Sequence, residues 1–178
     1  MERKVALLRA VNVGGRKLPM VDLRALCAEL GWTDVATYIQ SGNVVFRADG
    51  GPAALEKKLE AAIEARFGLA VPVVIRTAAQ WADYPPGNPF AQAAKDEPQR
   101  LMLLLSKVPP TDGAEEIIQM RAVAGEQVRR AGDALWIHYP HGAGTSKLSP
   151  GLIDRAVGSP ATARNYRTVT TLMEMLIE

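Results

Sequence analysis

The sequence is poor in several things that would announce a function. Among 178 residues there is one cysteine, there are two histidines, and aromatic residues make up 6%. The single thiol, Cys27, closes no intramolecular disulfide and fits a reducing compartment. His138 and His141 have no third or fourth ligand in a recognisable spacing, so zinc has no support and no cofactor is expected. Paired carboxylates at helical or strand spacing do not stand out, which removes the glycosidase pattern. No apolar run reaches the ~18 residues of a membrane-spanning helix. The N-terminal Met1-Glu2-Arg3-Lys4 leads into an apolar stretch broken at Arg9, too short for a signal core. A cytoplasmic protein without a membrane partner is the expectation. Charge is nearly balanced, 21 basic against 19 acidic residues for a net +2, so any cationic function is local and nucleic acid is a disfavoured partner.

What is present is an ordinary globular composition, 48% hydrophobic and 22% charged. A chain of this length buries roughly 70% of its unfolded surface, enough for a core without disulfides or metals. Val5 to Val11 is an apolar run of strand length ending in Asn12-Val13-Gly14-Gly15. Pro19 suits a helix start, Leu23, Leu26, Cys27 and Leu30 share one helical face, and Gly31 suits the left-handed stop. Val35–Ile39 and Val44–Phe46 are β-rich around the turn Gln40-Ser41-Gly42-Asn43. A second helix, with Leu55, Leu59, Ala62 and Ile63 on its apolar face, ends at Gly68, and Val71–Arg76 closes a βαββαβ unit.

The periodicity fails from Trp81 to Pro98, where Pro85, Pro86, Pro89 and Pro98 predict a connector with little regular structure. It restarts with a strand at Leu101–Ser106, a helix at Ala114–Met120, and strands Gln127–Arg130 and Leu135–Tyr139 around Ala131-Gly132-Asp133. Helices near Leu148–Val157 and Thr168–Ile177 complete the chain. The class is therefore α+β: two ferredoxin-like βαββα(β) subdomains in pseudo-tandem repeat. Residues 1–80 form the first and 101–178 the second, with the connector at 81–100.

Four polar loops are candidates for chemistry. Arg9-Ala10-Val11-Asn12-Val13-Gly14-Gly15-Arg16-Lys17 joins a strand to a helix start, where unpaired N–H groups, a positive helix end and basic side chains favour an anion. Its spacing matches neither the dinucleotide fingerprint nor the phosphate loop. Tyr139-Pro140-His141-Gly142-Ala143-Gly144-Thr145-Ser146-Lys147 is a second strand-to-helix junction, with Ser146 placed to cap and Lys147 adding charge. Thr162-Ala163-Arg164-Asn165-Tyr166-Arg167-Thr168 offers guanidinium forks for carboxylate or phosphate and Thr162 or Thr168 as a helix cap. The turn Gln40-Ser41-Gly42-Asn43 is richer in amide and hydroxyl groups than a turn requires, but it is not a nucleophile elbow. Each loop also has a structural use as a turn, a cap or a tie between segments.

Leu7 to Gly15, Pro19-Met20, Leu30-Gly31, Thr37-Tyr38-Ile39-Gln40-Ser41-Gly42-Asn43-Val44-Val45-Phe46, Asn88-Pro89-Phe90, Tyr139-Pro140, Ser146-Lys147-Leu148 and Ala163-Arg164-Asn165 carry a resemblance. Together they resemble the bacterial family catalogued as domain of unknown function 1697, over nearly the whole chain. The resemblance implies an α+β fold with ferredoxin-like subdomains and supplies no activity. Ala10 stands where that family usually has glycine, and Tyr166 where it often has tryptophan. The expectation is that Arg9, Asn12, Gly14, Gly15, Lys17, Gln40, Ser41, Asn43, Ser146, Lys147, Arg164 and Asn165 partly converge on one polar cleft between the halves. Such a cleft suits an anionic small molecule, phosphorylated or nucleotide-like. Enzyme and nucleic-acid readings stay open beside it, the first resting only on Ser41, Tyr38, Lys17 or His141 as base or nucleophile.

Overall fold

Strand β1 (Arg3–Leu8) is buried at every position after Arg3: Val5 to Leu8 form the apolar run an inner strand requires, and Lys4 is buried with its Nζ donating to Ala48 O at 2.9 Å. A computed structural model describes residues 1–178 and divides them into two units, Met1–Ala82 with Leu172–Glu178, and Asp83–Thr171. In the first unit β1 is followed by α1 (Met20–Glu29), β2 (Thr33–Tyr38), β3 (Asn43–Arg47), α2 (Pro52–Phe67), β4 (Val73–Thr77) and a short α3 (Ala78–Ala82). The sheet order is β2-β3-β1-β4 with every neighbouring pair antiparallel. One face carries Ala6, Leu8, Val44, Phe46, Val73 and Ile75, and α1 and α2 cover it with Leu23, Leu26, Cys27, Leu55, Leu59 and Ile63. Trp32 stacks on Phe46 with ring centroids 4.0 Å apart. Cys27 lies in this core, and burial pushes its thiol up to about 12.

The second unit contains α4 (Tyr84–Gly87), α5 (Ala91–Asp96), β5 (Leu101–Ser106), α6 (Ala114–Arg121), β6 (Gln127–Ala131), β7 (Ala134–His138), α7 (Pro150–Val157) and β8 (Ala161–Asn165). The last helix, α8 (Tyr166–Ile177), begins in this unit and ends in the first. Its sheet, in the order β6-β7-β5-β8, is again antiparallel throughout. Leu104, Ile118, Val128, Leu135, Ile137, Ile153 and Val157 centre its core. The protein is thus an α+β fold with two four-stranded antiparallel sheets, each with helices.

Helix side chains protect one edge strand in each unit. Glu60 and Glu56 of α2 accept from the N–H groups of Val73 and Ile75 on β4, both at 2.8 Å. Gln119 and Glu115 of α6 accept from Val128 and Arg130 on β6, at 2.8 and 2.6 Å. Such bonds occupy donors that would otherwise template pairing with another chain.

Several expectations change. The proline-rich connector is helical in part, because Pro85 falls in the first turn of α4 and Pro98 opens a 3-10 turn, where the missing N–H costs nothing. The second unit has a fourth strand, β8, in the segment whose polar pattern predicts a loop. Ser149 rather than Ser146 caps α7, accepting from Leu152 N at 3.3 Å. Asn165, rather than Thr162 or Thr168, caps α8 through a 3.0 Å bond from Thr168 N. The second stretch does not run unbroken to the C-terminus, since residues 172–178 group with the first unit, where Arg3 Nη1 donates to Met175 O at 2.5 Å.

Candidate functional site

At the end of β1 the chain reverses into α1 through a loop with four left-handed residues: Ala10 (φ 53°), Asn12 (φ 57°), Gly14 (φ 55°) and Gly15 (φ 81°). Asn12 organises it. Its Nδ2 donates to Leu18 O at 2.9 Å and to Gln40 O at 2.7 Å, while its Oδ1 accepts from Leu18 N at 2.9 Å. Its backbone N–H donates to Arg16 O at 2.7 Å, and Arg16 Nη2 ties the loop to Ala70 O at 2.7 Å.

The β2–β3 turn is clamped to the same place. Leu8 N donates to Gly42 O at 2.8 Å, and the buried Asn43 donates from Nδ2 to Tyr38 O at 2.9 Å and to Ser41 Oγ at 3.1 Å. Gly42 (φ 86°) has no room for a side chain: a Cβ there would lie 2.8 Å from both Leu8 Cβ and Val11 Cγ2. Ser41, Gly42 and Asn43 therefore serve the turn's own geometry, and Ile39 just before them is held at φ 52°, a conformation a β-branched residue rarely adopts.

The two motifs of the first unit thus meet. Between them lies a surface recess of about 470 Å³ lined by Asn12, Gly15, Arg16, Lys17, Pro19 and Gln40. Four of these, Asn12, Gly15, Lys17 and Gln40, were singled out from the sequence. Lys17 is exposed, Gly14 and Gly15 are exposed with their N–H groups outside the loop's internal bonds, and no carboxylate lines the recess. Helix α1 starts at Met20, immediately after it, and contributes the positive end of its dipole. Arg9 stands beside this loop, half-buried, with its N–H donating to Pro72 O at 3.0 Å.

In the second unit the flagged residues stand in separate places. Ser146 Oγ donates to Glu126 Oε1 at 2.7 Å and accepts from Leu148 N at 3.2 Å. Glu126 itself is buried, which pushes its carboxyl up, but bonds from Ser146 and from the N–H groups of Glu126 and Ala124 outweigh that and leave it below the usual range. Lys147 is exposed. Arg164, on β8, is buried, donates to Thr162 Oγ1 at 2.8 Å and Ala163 O at 2.9 Å, and is pushed down to about 10 by loss of water. Glu126 precedes β6 while Arg164 and Asn165 lie on β8, the opposite edge, three strand spacings or roughly 14 Å away.

One polar cluster was missed from the sequence. His138 Nε2 lies 3.0 Å from Glu97 Oε2, and Arg100 Nη1 donates to Glu97 Oε1 at 2.9 Å and to Pro140 O at 2.7 Å. The His138 bond first, with Arg100 in support, holds the Glu97 carboxyl below its ordinary value. The cluster borders a recess of about 480 Å³ that also has Phe90, Gln92, Asp96 and Gln127 in its wall. Glu97 and His138 are 41 residues apart, so only their places in the fold reveal the pair. The Asn88-Pro89-Phe90 and Tyr139-Pro140 motifs were the sequence signals near it.

Among solved structures, the fold is similar to that of a conserved bacterial protein from Streptococcus pneumoniae. The two are 22% identical, the match covers 100% of this chain and 99% of that one, and the TM-score is 0.75. Comparison with curated proteins finds no match. Residues 1–136 match the family model described as a protein of unknown function, DUF1697, and the chain belongs to that family.

Proposed function

We propose that the first unit binds a small anionic molecule, phosphorylated or nucleotide-like, in the recess between the β1–α1 loop and the β2–β3 turn. The observation that carries this reading is the bond from Asn12 Nδ2 to Gln40 O, which joins two polar loops into one rigid wall. That wall presents donors and no carboxylate: the Lys17 ammonium, the Gly14 and Gly15 N–H groups and the positive end of α1. Arg16 already spends one guanidinium nitrogen on Ala70 O, so Lys17 is the mobile cation of the site and Arg16 its fixed side. A volume of this size suits a metabolite rather than a polymer.

We infer that both units are ferredoxin-like repeats, on the shared strand order in which the first strand sits between the third and fourth. We further infer a bacterial protein that works in the cytoplasm, where its one thiol, buried in the first core, stays reduced.

A thermal-shift screen with adenosine mono-, di- and triphosphate, sugar phosphates and inorganic phosphate tests it, run at two salt concentrations with sulfate as control. A ligand of the native state stabilises by about 2.7 kcal/mol at a hundred times its dissociation constant. A selective shift by one phosphorylated compound that Lys17→Glu abolishes is the expected result. Shifts no larger than sulfate's, or unchanged in Lys17→Glu, would overturn the reading.

A further inference from the structure

We propose that the second unit carries a separate binding site for a small amine, built on His138, Glu97 and Phe90. His138 ends β7, in register with Leu101 on one side and Gln127 on the other, so the sheet fixes its backbone. Its side chain is 15% exposed, and the imidazole turns Nε2 to Glu97. Glu97 is held from its other oxygen by Arg100, which is itself anchored on Pro140 O, so the carboxylate has little freedom to leave the ring. When Nε2 carries the proton that it gives to Glu97, Nδ1 is a bare lone pair, and Nδ1 makes no hydrogen bond within the protein. His138 lines a recess of about 480 Å³, and an imidazole acceptor in such a wall is complementary to a ligand N–H.

The rest of the wall selects the ligand's charge and shape. Phe90, whose ring centroid lies 6.3 Å from the imidazole, offers an aromatic face to an ammonium or to its apolar body. Asp96 adds a carboxylate, bonded on one oxygen by Gln92, and neither lysine nor arginine is in the wall. The charged side chains of the wall are both acidic, and since Glu97 is already paired with Arg100, it is chiefly Asp96 that favours an ammonium over an anion. This recess and the recess of the first unit therefore prefer ligands of opposite charge.

Nuclear magnetic resonance on the full chain tests the inference with benzylamine as probe and benzoate and benzyl alcohol as its anionic and neutral counterparts. The two imidazole Cε1–H signals are assigned with His141→Gln. Benzylamine is expected to move the His138 signal saturably and leave His141 in place, while benzoate moves neither and benzyl alcohol binds more weakly. Asp96→Lys, on an exposed position, should weaken benzylamine about tenfold, the equivalent of about 1.4 kcal/mol. Phe90→Ala should weaken it similarly, and Asp96→Lys keeps the test decisive should that variant fail to fold. Equal shifts from benzoate or benzyl alcohol, no saturation with benzylamine, or an unchanged curve in Asp96→Lys would each overturn the proposal.

Discussion

Replacing Gly42 by alanine tests whether the Ser-Gly-Asn turn is a packing device. At φ 86° an L-residue costs about 1–2 kcal/mol. The added methyl would also sit 2.8 Å from Leu8 Cβ and Val11 Cγ2, both on buried residues with no room to retreat. Overpacking of this kind costs about 1–3 kcal/mol. The smaller entropy of the unfolded alanine chain returns about 0.4–1 kcal/mol. The net loss is about 2–4 kcal/mol, or a fall in Tm of roughly 5–15 °C for a chain of this size. Urea denaturation followed by circular dichroism, with Gly31→Ala as control, separates the terms. Gly31 has a similar φ of 82° and nothing within 4 Å of an added Cβ, so it should lose only about 1 kcal/mol. Equal losses in the two variants would refute the argument that Gly42 is required by close contact with β1.

Two further outcomes follow from the same structure. Ala10 is held at φ 53°, a conformation glycine adopts without steric cost; Ala10→Gly should stabilise by up to about 1 kcal/mol, read as a higher urea midpoint at unchanged m. Ser146→Ala removes a bond that lowers the Glu126 carboxyl, so the variant should be less stable above the unfolded glutamate value of about 4.5. That deficit should close as pH falls through the lowered folded value, where wild type loses the same contribution, and denaturation midpoints measured from pH 7 down to pH 3 check it.

The inner strands were legible because β1, β3, β5 and β7 each hold an unbroken apolar run, whereas β8, Ala-Thr-Ala-Arg-Asn, holds none and lies on an edge. The connector is misleading in sequence because proline breaks a helix in its interior but starts one at its first positions. The polar loops were also legible as loops, but the use of each side chain was not. Asn43 and Arg164 are as polar as Lys17 in sequence, yet the first two are buried and bonded to their own neighbours while the third is exposed. Burial in the sheets sets Asn43 and Arg164 apart, and long-range bonds fix Asn12 to Gln40 and Ser146 to Glu126; no spacing rule encodes either.

The most direct measurement for the anion site is an amide nuclear magnetic resonance titration of the full chain with the phosphorylated compound that gives the largest thermal shift. Binding at the proposed place predicts saturable shifts concentrated on the N–H groups of Gly14, Gly15 and Lys17 and on Gln40, lost in Lys17→Glu. Shifts concentrated elsewhere in the chain, or none in this loop at saturation, would contradict the account.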